Sequence, residues 1–427
     1  MNNVFRTERR KLTAQLSTRI LALVIVTGPF LFAAVLKFQS GVPGDTLLGV
    51  WVHSSGFAIS LVVLSFAGQW GFPIIAGVLA GDLFSSEDRY GTWKMILTRS
   101  QRRRDVFAGK VLAAAAFSLA LLLLATVSSL VAGLVFTGAQ PLVGLNGMLL
   151  SAGDCLLFVL IAWIVSLLPL LAFTSIAVLF SVATRNGILG VLGPLLVALA
   201  MQLLALIGKG GIVHVLLVGS AFDDWHGLLT SQRFYGPLIE GSLVSVVWIA
   251  ACLGGAWLIL RRRDFAGTPV PRRPGWATAV RVVAVSAAVI AVLGVATNWG
   301  PVTITAQRLQ RAFTPTFTNL TLLQQRQLGR AVPRGAKLNI LTTCQRRAAS
   351  NVGPGDDWTC TLTVLIPQAG ANPFNPTPVT YDMSVKSNGC YKAEAPPAFV
   401  GNQLMRDAHG QEVVNPLYTI YGCFDTS

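Results

Sequence analysis

Long apolar runs, almost free of charge, leave this chain few folds to choose from. Seven runs lie near residues 20–37, 57–80, 107–136, 155–183, 187–208, 240–260 and 277–297. Each is about as long as a helix needs to cross the hydrocarbon core of a bilayer. A backbone in lipid has to satisfy its own hydrogen bonds, so runs of this kind form helices. Of the 427 residues, 53% are hydrophobic and 12% are charged. A soluble domain carries roughly 25% charged residues. The expected fold class is therefore an all-α polytopic membrane bundle of about seven transmembrane helices. Pro169 lies inside the fourth run and predicts a kink there. Gly211 to Ser220 is too short to span and reads as a re-entrant piece.

Most of the net charge of +15 flanks these runs. Arg6, Arg9, Arg10, Lys11 and Arg19 precede the first run. Arg89, Lys94, Arg99, Arg102, Arg103, Arg104 and Lys110 follow the second. Arg185 marks the turn after the fourth, and Arg261, Arg262, Arg263, Arg272, Arg273 and Arg281 follow the sixth. The intervening loops hold only Lys37, Lys209 and Arg233. Basic residues favour the cytoplasmic side, so the pattern orients a membrane protein and argues against a nucleic-acid partner. The N-terminus is expected in the cytoplasm and the C-terminal tail, after an odd number of spans, outside. The first run lacks a small-x-small cleavage site and reads as an uncleaved helix. Before it, Phe5, Leu12 and Leu16 share one helical face, which fits an amphipathic helix on the anionic inner leaflet as well as a solvated basic tail.

Three domains are expected: a six-span core over residues 1–265, a linker with the seventh span over 266–299, and an extracytoplasmic domain over 300–427. Pro269, Pro271 and Pro274 break the basic linker. The tail is richer in Thr, Asn, Gln, Pro and Gly. Leu338 to Cys344, Trp358 to Ile366, Val379 to Val385 and Leu417 to Phe424 read as short strands, and Thr316 to Leu328 as a helix. A small β-rich or α+β domain follows. Cys155 and Cys252 lie in apolar runs and read as inert core residues. Cys344, Cys360, Cys390 and Cys423 lie in the tail, where an even number predicts two disulfides. Three pairings are open, and nearness in sequence favours Cys344–Cys360 with Cys390–Cys423. The compact Cys-x-x-Cys spacing of a zinc site is absent, so no metal is expected.

No catalytic constellation is visible. The chain has no GxxxxGK[ST] phosphate loop, no HExxH and no GxSxG. His53, His214, His226 and His409 are isolated. Asp223, Asp224 and His226 around Trp225 read as a solvated turn in preference to a metal or acid–base site. Inside the second run, Gln69, Trp70 and Pro73 stand out. Pro73 bends the helix, and Gln69 needs a partner, so the three are candidates for a substrate path as well as for helix packing.

The polar stretch between the second and third runs carries a pattern: Glu87, then Gly91-Thr92, then Leu97, then Arg103, then Lys110 entering the next run. It resembles the first cytoplasmic loop of permeases of ABC exporters in the drug, lipid and polysaccharide class. Ser100 stands where such permeases commonly have Pro. The resemblance covers about residues 1–265. It implies a multi-pass permease in a bacterial plasma membrane, not itself an enzyme and with no cofactor of its own. ATP and Mg would bind a separate ATPase subunit, and a second permease copy or homologue would complete the pathway in the bilayer. It further implies that Glu87, Arg89, Gly91, Thr92, Trp93, Leu97 and Arg103 form the coupling element, with Glu87, Asp88, Arg89 and Lys94 facing the ATPase. The Trp358-x-Cys360 and Asn415-Pro-Leu…Gly-Cys-Phe424 elements resemble the tails of actinobacterial permeases. The contrasting reading is a membrane-anchored extracytoplasmic sensor or binding module without transport.

Reporter fusions test the orientation. A fusion after Ser427 should report the extracytoplasmic side and one after Arg263 the cytoplasm. The same side from both would remove the seventh span.

Overall fold

The computed structural model describes residues 2–38, 46–98, 102–207, 217–263, 275–296, 304–333, 336, 338–347, 351–365, 378–386 and 388–425. A short helix, α1 (Asn2–Ala14), leads into α2 (Leu16–Phe38). A helix train follows, with α3 (Gly56–Phe66), a π turn (Ala67–Gly71), α4 (Phe72–Ala80), and the short α5 (Ser85–Arg89) and α6 (Trp93–Thr98). Then come α7 (Arg103–Phe136), the two-strand hairpin β1 (Leu142–Val143) and β2 (Leu149–Leu150), α8 (Ala152–Val165), α9 (Leu167–Thr184) and α10 (Gly187–Ile207). The last long helices are α11 (Gly236–Arg261) and α12 (Gly275–Ala296). Among the described residues, six stretches are long and apolar enough to cross a membrane: Leu16–Phe38, Gly56–Arg89, Arg103–Phe136, Ala152–Thr184, Gly187–Leu204 and Gly236–Arg261. The helix α12 runs along α9 and α11, with Val282 against Gly255. The linker prolines and most of the expected re-entrant piece lie outside the described residues.

Helix α9 is the axis of the bundle, buried almost throughout from Pro169 to Val182. It touches α4, α7, α10, α11 and α12. The fourth span breaks where the proline predicts a kink. Pro169 has no N–H for the carbonyl of Val165, so α8 stops there and α9 restarts after Ser166. Lipid supplies no hydrophobic drive between helices, so close contact and polar side chains hold them together. Gly77 on α4 and Gly81, just past its end, meet Val191 and Gly190 on α10, where a Cβ at Gly81 or Gly190 would collide with the opposite backbone. Ser60 bonds Ser129 at 2.9 Å and receives the Trp163 indole N–H at 3.1 Å, while Ser118 meets Thr174 at 3.1 Å.

The tail forms an α+β domain. Its helix α13 (Ala306–Gln327) begins ten residues before the stretch expected from sequence and covers a five-stranded antiparallel sheet. The strands are β3 (Asn339–Arg346), β4 (Gly355–Leu365), β5 (Val379–Val385), β6 (Cys390–Glu394) and β9 (Thr419–Cys423), paired in that order. A side hairpin, β7 (Leu404–Arg406) and β8 (Glu412–Val414), and a turn of helix, α14 (Pro397–Val400), complete it. The sequence reading lacked β6, β7 and β8, whose three to five residues hold little apolar pattern. Leu309, Phe313, Phe317, Leu320 and Leu323 line the buried face of α13. Phe313 stands edge-on between Tyr381 and Tyr391, at 5.4 and 5.8 Å between ring centres. Cys344–Cys360 and Cys390–Cys423 are disulfides, and each joins residues directly opposite on neighbouring strands. Cys155 and Cys252 are buried and free.

The α4–α10 crossing gives a direct test. Gly190→Leu places a side chain against the Gly81 carbonyl and should destabilise the protein by roughly 1–3 kcal/mol. Gly254→Leu, at a position where an added Cβ meets nothing within 4 Å, should leave stability unchanged. Thermal melts of the two variants in detergent decide it. Equal melting temperatures would show that the crossing tolerates side chains.

Candidate functional site

The polar stretch between the second and third spans folds into two short helices at one end of the bundle. Its entry is fixed from α9: the N–H groups of Phe84 and Ser85 both donate to Ser181 Oγ at 3.1 Å. Ser85 Oγ donates to Asp82 Oδ1 at 3.0 Å, and Arg89 reaches Asp82 Oδ2 at 3.0 Å. The start of α10 lies close, since a Cβ at Gly187 would meet Asp82 Oδ1 at 2.5 Å.

The centre of the arrangement is a group of four charges, three of them buried. Lys110, near the start of α7, is 1% exposed. Its Nζ donates to Glu8 Oε1 at 2.9 Å, to Glu87 Oε1 at 3.0 Å and to the Leu83 carbonyl at 3.0 Å. Lys11, on the rim, donates to the same Glu87 oxygen at 2.7 Å. The Thr92 hydroxyl donates to the other Glu87 oxygen. Burial works against the Lys11 charge, but its contacts with Glu87 and Glu8 outweigh that, and its pKa stands above the ordinary lysine value. Around this group, Val4 and the Phe5 backbone rest on Gly109 of α7, at distances that leave no room for a Cβ there. Leu12 is buried, whereas Arg6, Arg9 and Arg10 point outward. The apolar face of α1 therefore lies on α7 and not in the leaflet, because Glu8 finds its cation there.

A second clasp joins α5 and α6 to the end of α11. Arg263 pairs with Asp88 and stands 5.8 Å over the Trp93 ring. Burial holds the Arg263 guanidinium down to about 10, still charged at neutral pH. Arg103 donates to the carbonyls of Arg261 and Arg263 at 3.0 and 3.1 Å, closing the last turn of α11. Trp93 is buried and stacks on Phe84, with ring centres 6.3 Å apart.

Several expected contact residues are thus turned inward. Glu87 is 3% exposed and Asp88 is occupied by Arg263, so neither faces outward. The reason is electrostatic: each carboxylate has a buried cation facing it from inside the chain. Leu97 is half-buried. The outward surface consists of Arg89, Tyr90, Gly91, Lys94, Met95 and Thr98. Tyr90 is 71% exposed, with the Arg89 guanidinium 4.9 Å over its ring. Gly91 has φ +66°, a left-handed conformation that ends α5 and lets α6 begin. The sequence reading missed Glu8, which sits in a basic segment, and the Gly77-x-x-x-Gly81 spacing that marks a close helix crossing.

Half-way along the second span lies a separate irregularity. Pro73 lacks the N–H that would bond the Gln69 carbonyl. The Gln202 amide of α10 donates to that carbonyl at 3.0 Å. The side chains of Gln69 and Trp70 stay exposed on the bundle surface, and Pro73 is buried. On the tail side of the bundle, Asp223 to His226 do not form a solvated turn. Two short 3-10 helices, Ser220–Phe222 and Asp224–Leu229, wedge into the bundle, with Phe222 5.1 Å from Phe72. His226 is buried beside Trp225, with ring centres 4.1 Å apart. Among the described residues, no group of three or more His, Cys, Asp or Glu is placed to hold a metal ion.

Comparison with known proteins agrees with this architecture. Residues 4–193 match the family model described as ABC-2 family transporter protein. The matched stretch runs from α1 into α10 and contains Glu8, Lys11, Glu87 and Lys110. That stretch is similar to an ABC-2 type membrane domain, and six spanning-length helices make the chain a multi-pass membrane protein. No curated protein matches the chain.

The charge group yields a stability prediction. Lys110→Met leaves Glu8 and Glu87 buried without their central cation and should cost about 3–5 kcal/mol. The triple variant Glu8→Gln, Lys110→Met, Glu87→Gln removes the charges together and should recover most of that loss. Chemical denaturation of each variant measures it. A Lys110→Met protein as stable as the parent would show that the group is not a structural centre.

Proposed function

We propose that the chain is the transmembrane permease subunit of an ABC exporter in a bacterial plasma membrane. A separate ATPase subunit would bind ATP and Mg, and a second permease copy or homologue would complete the pathway. The family match over residues 4–193 supports a permease of this type. The observation that carries the coupling reading is an exposed turn on a rigid base. Arg89, Tyr90, Gly91, Lys94 and Met95 protrude, while Glu87, Asp88, Trp93 and Lys110 fix them from beneath. A push on a flexible loop would be lost in the loop. A push on this turn reaches α1, α7, α9 and α11 through short polar contacts.

The protruding surface sets the chemistry of the partner. Tyr90 and Met95 offer apolar area, and Arg89 and Lys94 offer positive charge. The fitting cleft on the ATPase is apolar at its floor and acidic at its rim. Glu87 acts in this reading as part of the base and not as a contact. Gln69 and Trp70 fit a substrate path, since they are polar or amphipathic, exposed, and set at a break in the second span. In a dimer this face would meet the partner permease across the pathway. The helix α12 would be the seventh span and would place the disulfide-bonded tail outside, with the N-terminus in the cytoplasm.

The test uses the full chain co-expressed with an ATPase subunit sought in the neighbouring reading frames. Tyr90→Asp and Met95→Asp, both at exposed positions, should keep the parent melting temperature. Each should weaken retention of the ATPase by about tenfold, as expected for an apolar anchor in an interface. Transport-linked ATP hydrolysis should fall with it. Full retention and full coupled hydrolysis in both variants would remove this turn as the coupling element.

A further inference from the structure

The tail and the permease meet along a cleft of about 180 Å³ that the exporter reading does not use. One wall is the hairpin between α7 and α8, with Gly147, Met148 and Leu149. The other is α13, with Leu322, Leu323 and Arg326. The two walls are locked at one point. Asn319 Nδ2 donates to the Asn146 carbonyl at 3.0 Å, and Gly147, at φ +71°, lies so near Leu320 that a Cβ would stand 2.8 Å from its Cγ.

The lining has two characters. Met148 and Leu149 are about half exposed, and Leu322 and Leu323 face them from α13. Arg326, one helical turn beyond Leu322, is exposed on the same side of α13. Among the described residues it has no carboxylate within ion-pair distance. The neighbouring Arg330, by contrast, is drawn to Gln325 Oε1 at 2.7 Å. The position in the membrane adds a constraint. The hairpin begins six residues after Phe136, where α7 ends, and finishes two residues before Ala152, where α8 starts. Both are spans, so the cleft opens at the level of the lipid headgroups.

We propose that this cleft holds one anionic phospholipid from the leaflet on the tail side. Its acyl chain lies against Met148, Leu149, Leu322 and Leu323, and its phosphate meets Arg326. An apolar floor with one cation at the mouth suits an amphiphile with a negative headgroup. Free phosphate would gain nothing from the leucines, and a neutral lipid nothing from the arginine. The bilayer supplies such a lipid beside the opening, so no carrier is required. The bound lipid would also fill the space between the hairpin and the tail and join the two. The proposal rests on α7 and α8 being spans and not on coupling to an ATPase. Lipid labelling and ATPase retention therefore fail independently.

The experiment uses the full chain in nanodiscs of phosphatidylcholine with a minor share of phosphatidylglycerol. Each lipid is added in turn as an analogue with a photoactivatable group in its acyl chain, and labelled peptides are mapped by mass spectrometry. The phosphatidylglycerol analogue should label the peptides holding residues 147–149 and 319–326. Arg326→Gln should lower that labelling about fivefold, the effect of one interfacial cation, and leave phosphatidylcholine labelling unchanged. Met148→Trp, which fills the cleft, should lower labelling by both analogues. Excess inorganic phosphate should not protect. Labelling absent from these peptides, or equal labelling of Arg326→Gln and the parent, would overturn the proposal. Protection by phosphate alone would assign the site to a free anion instead.

Discussion

One buried ammonium group, Lys110 Nζ, decides how the α1–α5 end of this bundle is assembled. It bonds Glu8, Glu87 and the Leu83 carbonyl within 3.0 Å. Taking a charge out of water costs several kcal/mol unless opposite charge and hydrogen bonds replace the lost hydration. Lys110 has three such partners, from α1, from α5 and from the end of the second span. None of those elements can shift alone without exposing or stranding a charge. Two carboxylates around one ammonium would leave a buried excess of negative charge, and Lys11 on the rim offsets it. Compared with an apolar core of equal volume, such a group adds little stability. What it adds is a single register: α1 docks only where Glu8 meets Lys110.

That block continues into the bundle through contacts that allow little slack. Ser181 on α9 ties down the start of α5, and the glycines of α4 and α10 bring two backbones into direct contact. The first compliant place lies further along the second span. There the π turn and Pro73 interrupt the helix, and Gln202 of α10 catches the freed Gln69 carbonyl. One side-chain hydrogen bond then does the work of a backbone bond. The interrupted turn, unlike the stiff end, is where the helix can change its bend.

The sequence made the membrane character legible because apolar runs of spanning length have few alternatives. The strands of the tail were partly legible, with β3, β4, β5 and β9 carrying enough β-branched and aromatic residues to stand out. The short β6 stayed hidden, since it is defined by pairing with β5 and β9 and not by its own pattern. The loop motif assigned its carboxylates outward. Local spacing puts Glu87 and Asp88 near the surface of a short helix. It holds no information that Lys110 and Arg263, 23 and 175 residues away, approach from inside. Glu8 was missed for the same reason, as one acid among five nearby bases reads as surface.

The tail is bound to the helix bundle by an equally local device. Asn146, at the tip of the hairpin, is 7% exposed and bonds three separate segments of the chain. Its amide donates to Ser231 Oγ at 3.2 Å, its side-chain oxygen accepts from the Cys423 N–H at 3.4 Å, and its carbonyl accepts from Asn319. The strand it holds, β9, is an edge strand, which would otherwise leave unpaired backbone groups open to other chains. The Asn146 hairpin reaches that edge at Cys423. The Cys390–Cys423 disulfide fixes β9 to the rest of the sheet at the very residue that Asn146 touches. A displacement of the α7–α8 hairpin therefore meets a crosslinked sheet instead of a free strand, and the tail has to move with the hairpin as one body.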